Sequence, residues 1–462
     1  MRFDSAERIC RDLEAVFREY GEDLYLVGGY VRDAILGRPT KDVDLATSAH
    51  PPDVKRYIAQ TSPTAVYAVG EKFGTVGAIY ARADEEVRVE ITTFRSEKYT
   101  PRSRLPEVSF GTGLEGDLAR RDFTINALAR TISDGRLIDR FGGVDDLRRR
   151  VIRAVGNPDE RFAEDPLRLL RAVRFAAELG FDVEPATRAG IARNAAGLSD
   201  ISRERVIEEL NRVLLSPAPA AGLALLVDLG LAAHVLPELL ALRTTSQGHR
   251  TKDVLAHTLK VVERSPRDLV SRWSALLHDI AKPRTVAVEA GVVTFHGHDA
   301  LGERMTRDIL SRLRMDLHSA ERVASLVGLH MRANEYDDDW TDGAVRRLMR
   351  DAGEDLPLLL ALSLADVTSQ RQPKVQAAAE KVRRLAARAN AIAEAENIQA
   401  IKSPLDGNDL MVIAGRGPGK WIAPIKDRLL AMVLDGTLKQ EDREAAEAIA
   451  RSMLAEAGEV AR

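Results

Sequence analysis

Val27-Gly-Gly-Tyr-Val-Arg-Asp-Ala-Ile-Leu-Gly-Arg-Pro-Thr-Lys-Asp-Val-Asp-Leu-Ala46 is the stretch that decides the fold. It follows an apolar run from Asp23 to Val27 that reads as a short strand, and a helix is expected just after Gly28-Gly29. Glycines between a strand and a helix let backbone N–H groups come close to phosphates. Arg32 adds a guanidinium suited to a triphosphate. Asp42 and Asp44 are two apart, so on a strand their carboxylates share one face and can hold a divalent metal together. A Gly-Gly turn alone is weak, and an Asp-x-Asp pair on a strand edge is usually solvated. Joined at this spacing they point to phosphoryl or nucleotidyl transfer. In such a reaction one metal lowers the pKa of an attacking 3′-hydroxyl and another steadies the leaving pyrophosphate. Glu90, in Val-Glu-Ile-Thr, either completes that metal site as a third catalytic carboxylate or faces solvent from its strand.

Working outward, residues 1–20 read as a helix. Residues 66–91 alternate apolar and polar around Gly70, Gly74 and Gly77, as paired strands do. The N-terminal module is therefore α/β. Residues 92–113 are rich in Arg, Pro, Ser and Gly without periodicity and read as a mobile loop. From about Asp145 onward Leu, Ala and Val recur at three and four residues, which predicts an all-α remainder. That helical pattern breaks at Ser216-Pro-Ala-Pro and again at Gln372-Pro373. A long helix is expected over 374–397 and an amphipathic one near 443–453. The expected division is 1–145, 146–215, 216–375 and 376–462, since 462 residues exceed one hydrophobic core.

Apolar residues make up 45% and charged residues 30%, which argues against long disordered stretches. Cys10 is the only cysteine, so disulfide scaffolds and Cys-based zinc sites are excluded. With no apolar leader and no run near the roughly 18 residues of a membrane span, the expectation is a cytoplasmic protein without a membrane partner. A net charge of −3 argues against a nucleic-acid partner unless basic surface is local. Residues 148–174 supply it, with eight arginines against four acids.

The Val27–Ala46 segment resembles the signature of the class II tRNA nucleotidyltransferase and bacterial poly(A) polymerase family, within the polymerase β superfamily. Further blocks of that family follow in order: Arg120-Arg-Asp-Phe-Thr-Ile-Asn-Ala127, Asp139-Arg-Phe-Gly-Gly-Val-Asp-Asp146, Glu164-Asp-Pro-Leu-Arg-Leu-Leu-Arg-Ala-Val-Arg-Phe175 and Glu204-Arg-Val-Ile-Glu-Glu-Leu210. The resemblance implies an α+β multidomain chain, with a polymerase-β-like α/β head followed by an all-α neck, body and tail. It also implies Gly28, Gly29, Arg32 and Arg121 as nucleotide contacts and Asp42 and Asp44 as magnesium ligands.

In the fourth block a helix is expected to open on acidic residues with Pro in its first turn. Asp165, Arg168, Arg171 and Arg174 then recur every three residues as a polar stripe. Cytosine and adenine each show an amine beside a ring-nitrogen acceptor, which a carboxylate next to a guanidinium matches. Uracil and guanine present a carbonyl and an N–H there, and each buried mismatch costs roughly 1–3 kcal/mol. In the family this motif is an amino-acid template for CTP and ATP. By resemblance Asp165 and Arg168 read the base, and Arg171 and Arg174 are further nucleotide contacts.

Seven of the nine histidines lie between 249 and 330. His257, the pair His278-Asp279, His296, His298, His330 and Asp366 form a set that binds divalent metal readily. The pattern resembles the HD phosphohydrolase domain. Its ligands are then His257, His278, Asp279 and Asp366, with His298 and His330 for a second metal. The tail from Pro404 resembles that of bacterial family members and implies contact with the tRNA elbow. Arg383, Arg384 and Arg388 are either basic contacts there or plain surface.

The expected activity is template-independent addition of CCA from CTP and ATP to tRNA with Mg2+. A poly(A) polymerase of the same family, an enzyme adding only CC or only A, and an HD phosphohydrolase with a nucleotide-binding module remain open, as does an RNA-binding protein without catalysis. Oligomeric state is not legible.

Overall fold

A computed structural model of the chain describes residues 4–40, 42–67, 74–82, 85–98, 107–111, 113–244, 253–289, 292–368, 371–395 and 401–460. The chain forms two compact units, Met1–Val235 and Leu236–Arg462.

Unit 1 is built on β1 (Leu24–Val27), β2 (Asp42–Thr47), β3 (Ala65–Tyr67), β4 (Thr75–Arg82), β5 (Glu85–Thr93), β6 (Arg95–Lys98), β7 (Glu107–Phe110), β8 (Leu128–Thr131) and β9 (Leu137–Asp139). Seven of these make one sheet in the order β3-β4-β5-β2-β1-β8-β9. Only β2 and β5 run parallel in it. The alternation expected of such strands is visible: Val43, Leu45, Val87, Val89 and Ile91 are buried, and the residues between them carry the polar face. The helix Asp4–Glu19 buries Ile9, Leu13 and Phe17 at spacings of four. Phe17 meets Tyr57 of the helix Pro51–Ala59 edge to face at 5.1 Å.

The segment 92–113 differs from its sequence reading. Thr92 and Thr93 continue β5, and β6 pairs antiparallel with β7 from Arg95↔Phe110 to Lys98↔Glu107. A hairpin is held by main-chain hydrogen bonds, so strands rich in Arg, Ser and Glu show no apolar alternation to read. Residues 99–106 and 112 lie outside the described residues.

After the sheet come the helices Pro158–Glu164, Leu167–Leu179, Pro185–Asn194, Arg203–Leu214 and Pro219–Asp228. Gly222 sits where three of them meet; a Cβ there would be 2.8 Å from both Ala177 Cβ and Val213 Cγ1. The second departure is at residue 165. Glu164 ends one helix, Asp165 is extended (φ −141°, ψ 99°), and the next helix starts at Leu167. Pro166 forces this break, because proline excludes the helical conformation from the residue before it. The remainder is also not purely helical: β10 (Val151–Ile152) pairs parallel with β11 (Asp182–Val183).

Among the described residues unit 2 is helical apart from one hairpin, β12 (Ala287–Glu289) with β13 (Val292–Thr294). Strands of two or three residues are too short to show a period. Asp253, Asp268 and Asp316 each cap a helix by accepting main-chain N–H bonds, at Val254–Arg264, Leu269–Leu277 and Leu317–Asn334. The expected breaks are present: one helix ends at Leu214 and the next begins at Pro219, and the long helix is Gln372–Ala395. Helices Gly407–Ala414, Ile422–Leu434 and Arg443–Val460 close over a core of Leu410, Ile425, Leu429, Ala446 and Ala450. Among the described residues no helix is long and apolar enough to cross a membrane.

Candidate active sites

β2 carries Asp42 and Asp44 on its polar face, and β5 sets Glu90 directly beside Asp44 in the parallel register. Three carboxylates therefore stand on adjacent strands. Asp42 is exposed, while Asp44 and Glu90 are half-buried. Burial pushes the Asp44 carboxyl up to about 6, with Glu90 and Asp42 adding to the rise and Arg121 and Arg32 opposing it. An oxygen-rich, anionic cluster of this kind fits a hard divalent cation.

The glycine turn abuts these carboxylates. Gly28 has φ +66°, and a Cβ on it would lie 2.7 Å from Arg121 Nη1 and 3.6 Å from Asp44 Oδ2. A Cβ on Gly29 would lie 3.6 Å from the same Asp44 oxygen and 3.7 Å from Arg32 Nη2. The missing Cβ and the positive φ of Gly28 are what let the Arg121 guanidinium lie against the turn, whereas a Cβ on Gly29 would make only ordinary contacts with Asp44 and Arg32. The helix Gly28–Ile35 has no side-chain cap, so its first N–H groups face the same space without a side-chain acceptor.

Each arginine has protein partners. Arg32 forks onto Asp33 through Nε and Nη2, both at 2.9 Å, and donates from Nη1 to Asn126 Oδ1 at 2.7 Å. Arg121 donates to Asp117 Oδ2 at 3.1 Å and to the Asn126 carbonyl at 3.3 Å. Its Nε is buried without a partner among the described residues. Asn126 in turn donates to Asp122 Oδ1 at 3.1 Å, and Asp122 Oδ2 accepts from Arg171 Nε at 2.7 Å. Against the effect of burial, Arg171 and Asn126 hold the Asp122 carboxyl down at about 2. The guanidinium groups of Arg32, Arg171 and Arg174 lie 5.3, 5.4 and 4.3 Å from the Phe175 ring centroid.

The side chains of Asp165 and Arg168 are not bonded to each other, although Arg168 N donates to the Asp165 carbonyl at 3.0 Å. Asp165 accepts from Leu167 N at 3.1 Å and from Arg205 at 3.0 Å. Arg168, 7% exposed, donates to Glu164 at 2.6 Å and to the carbonyls of Arg161 and Arg120. Arg174 is interior, 2% exposed, 3.3 Å from Glu209. Six of the eight arginines between 148 and 174 are matched by a carboxylate, at Asp145, Asp146, Glu164 (twice), Asp122 and Glu209. Arg383, Arg384 and Arg388 likewise pair with Glu380, Asp338 and Asp342. The net positive surface expected from the sequence is therefore largely neutralised. Asn126, Asp117, Asp122 and Phe175 were not singled out from the sequence, although they lie within or beside the family blocks. Asn and Phe carry no charge, and an acid between arginines reads as an ordinary ion pair.

A second cluster stands in unit 2. His257 comes from the helix Val254–Arg264, His278 and Asp279 from the end of Leu269–Leu277, and His298 from the start of His298–Arg312. His330 lies within Leu317–Asn334 and Asp366 ends Leu356–Asp366. The ligating atoms of His257, His278 and Asp366 lie within 4.8 Å of one another, as do those of Asp279, His298 and His330. Asp279 joins the two sets, with Oδ2 3.2 Å from His278 and 3.5 Å from His257, and Oδ1 3.5 Å from His298. The Nδ1 atoms of His278, His298 and His330 point at the carbonyls of Ala275, Phe295 and Val327, at 2.8, 2.8 and 2.6 Å. Their Nδ1–H groups thus donate, and the Nε2 lone pairs face inward. The Nε2 atoms of His298 and His330 stand 3.2 Å apart and those of His257 and His278 3.3 Å apart, separations that a shared proton or a shared cation makes favourable. Against burial, Asp279 and Asp366 raise His278 to about 10, whereas burial and the charge on His278 lower His330 to about 4. His296 is exposed beside Glu289 and outside the cluster.

Comparison with known proteins agrees with this layout. The family model of the poly(A) polymerase head domain matches residues 24–153, that of a probable RNA- and SrmB-binding site of polymerase A matches 180–242, and that of the HD domain matches 250–371. A CCA-adding enzyme of Enterococcus faecalis is 32% identical over 95% of this chain and 93% of its own. An A-adding tRNA nucleotidyltransferase of Deinococcus radiodurans is 35% identical over 87% and 89%. Two further CCA-adding enzymes match at 44% and 45%, but the chain spans only 63% and 55% of their length in those matches. The crystal structure of the Bacillus stearothermophilus CCA-adding enzyme with CTP superposes with a TM-score of 0.66 at 27% identity, covering 99% of this chain and 98% of that one. Identity of 32% sustained over nearly the whole of both chains decides the relation: this chain belongs to the family of the CCA-adding enzymes.

Proposed function

We propose that the chain adds nucleotides from CTP and ATP to the 3′ end of tRNA without a nucleic-acid template, completing its CCA terminus. The observation that carries this reading is the contact of the Asp42–Asp44–Glu90 face with the Gly28-Gly29 turn and the guanidinium groups of Arg32 and Arg121. The cation that fits these oxygens is Mg2+, which neutralises the triphosphate and makes a 3′-hydroxyl easier to deprotonate. Asp42, Asp44 and Glu90 hold it, and no protein general base is then needed. Arg32 and Arg121 grip the triphosphate, beside the uncapped N–H groups of the helix Gly28–Ile35. Asp165 and Arg168 read the base edge after exchanging their present partners Arg205 and Glu164 for it. Arg171, at 34% side-chain exposure, is the further nucleotide contact, whereas Arg174 supports the helix from inside. In this reading residues 1–145 are the head, 146–215 the neck, 216–375 the body and 376–462 a tRNA-binding tail. The free, buried thiol of Cys10 suits a cytoplasmic protein.

The six-residue cluster of unit 2 supports a second activity, hydrolysis of a phosphoester by the HD site, for which a 2′,3′-cyclic phosphate at a damaged RNA end is a suitable substrate. His257, His278, Asp279, His298, His330 and Asp366 would hold two divalent ions, which supply an activated water.

The deciding experiment supplies tRNA lacking its 3′ CCA with Mg2+ and with CTP, ATP, GTP or UTP, singly and together, and sequences the products. Two C residues from CTP alone and a stop at CCA with CTP plus ATP are expected. A single A added only to tRNA already ending in CC would instead make the chain an A-adding enzyme. Long A tails would make it a poly(A) polymerase.

A further inference from the structure

We propose that Asn126 is a positioning residue that ties the triphosphate grip to the base-reading helix, and so sets nucleotide selectivity as well as affinity. This rests on the reading of Arg32 as a nucleotide contact.

Donor chemistry fixes what Asn126 must do. Arginine only donates and a carboxylate only accepts. Between Arg32 Nη1 at 2.7 Å and Asp122 Oδ1 at 3.1 Å, the residue in the middle must accept on one side and donate on the other. A carboxamide does this. An aspartate would set a second negative charge against Asp122, and a leucine of similar size would leave both neighbours unpaired. Arg32, Asp122 and Asn126 are all buried, so water does not substitute.

The chain of contacts is continuous in unit 1. From the glycine turn it runs through Arg32, Asn126 and Asp122 to Arg171, whose guanidinium lies over Phe175 of the helix Leu167–Leu179, as does that of Arg32. The carbonyl of Asn126 also takes the bond from Arg121, so one residue touches both proposed triphosphate contacts. Its own turn, Thr124–Asn126, is rigidly held. Thr124 Oγ1 donates to Asp146 at 2.5 Å, Thr124 N donates to the Arg153 carbonyl at 2.9 Å, and a Cβ on Gly143 would sit 2.2 Å from the Thr124 carbonyl oxygen. A rigid turn that holds a phosphate contact by one end of an amide, and the base-reading helix by the other, fixes the distance between phosphate and base.

The test uses the full chain, a tRNA ending in CC and each of the four nucleotides. Asn126→Leu and Asn126→Asp are expected to lower the kcat/KM ratio of ATP over GTP by about ten-fold or more, with the melting temperature of at least one variant near that of the parent. Adding Arg171→Ala to Asn126→Leu should cost little further selectivity, because both cut the same chain. An equal fall in kcat/KM for all four nucleotides, or a loss of melting temperature with selectivity intact, would overturn the proposal. Arg32→Ala separates the levels. If it leaves nucleotide KM unchanged, the reading of Arg32 fails and takes this proposal with it. If it raises KM while the Asn126 variants keep full selectivity, this proposal alone is wrong.

Discussion

The two candidate sites are held in opposite ways. In unit 1 the arginines of the site and Asp165 are satisfied by other side chains: Arg32 by Asp33, Arg121 by Asp117, Arg168 by Glu164, Asp165 by Arg205. In unit 2 three of the four imidazoles are fixed through Nδ1 to main-chain carbonyls, and their other nitrogens already converge. Side-chain partners can be exchanged for a substrate at little cost, since one charge-assisted bond replaces another. Two of those main-chain carbonyls, of Ala275 and Val327, lie in helices and cannot move without breaking the helix. The first arrangement suits a site that must accept different nucleotides in turn. The second suits a site whose ligand is an ion of fixed size. The donors differ accordingly, with three carboxylates suited to a hard cation in unit 1 and four imidazoles with two carboxylates in unit 2.

The largest effects should come from separating the sites. Asp42→Ala or Asp44→Ala is expected to reduce nucleotide incorporation by roughly three orders of magnitude, while the Co2+ or Ni2+ held by the histidine cluster, read from its visible absorption after dialysis, stays at the parent's level. Loss of that bound metal in the Asp44 variant would show that the two centres are not independent. The converse is Asp279→Asn, in the residue that joins both metal subsites. It should lower retained metal by at least about ten-fold and abolish any cyclic-phosphate hydrolysis, with CCA addition changed less than about two-fold. A matching collapse of CCA addition would mean that the HD cluster supports the fold of the transferase rather than an activity of its own.

Legibility from sequence followed the same contrast. The carboxylate pair, the glycine turn and the His278-Asp279 pair are readable because their chemistry is local: Asp42 and Asp44 need only a strand, and His278-Asp279 only the end of a helix. His257, His298, His330 and Asp366 stand on separate helices and join that pair in the sequence only through the resemblance to the HD domain. The hairpin β6–β7 was missed because main-chain bonding leaves no trace in side-chain periodicity. The sequence misplaces the break at Asp165, because an acidic pair before a proline reads as a helix start although proline restricts its predecessor. The partners of the arginines were not legible either. Asp122 meets Arg171 across 49 positions and Asn126 meets Arg32 across 94, and no spacing rule reaches that far. The surplus of arginine between 148 and 174 read as open positive surface for the same reason.

The smallest expected effect concerns the cost of keeping the first site ready. Asp44 has its carboxyl raised from 3.8 to about 6 in the folded chain, mainly by burial. Between those values the folded state holds a proton that the unfolded state has lost. Its contribution to stability is therefore full below about pH 4 and disappears as pH rises through about 6. A shift of about two units corresponds to about 3 kcal/mol as an upper bound, since Asp44 keeps some contact with solvent. In chelator, Asp44→Asn should then melt a few degrees above the parent at pH 8, and the gap should narrow toward pH 5. Added Mg2+ should close it from the other side, by stabilising the parent and not the variant. A difference that is independent of pH and of Mg2+ would mean that Asp44 is strained by packing and not by its charge. The open site would then lose the feature that most separates it from the histidine cluster, a negative charge kept at the protein's expense until a cation arrives.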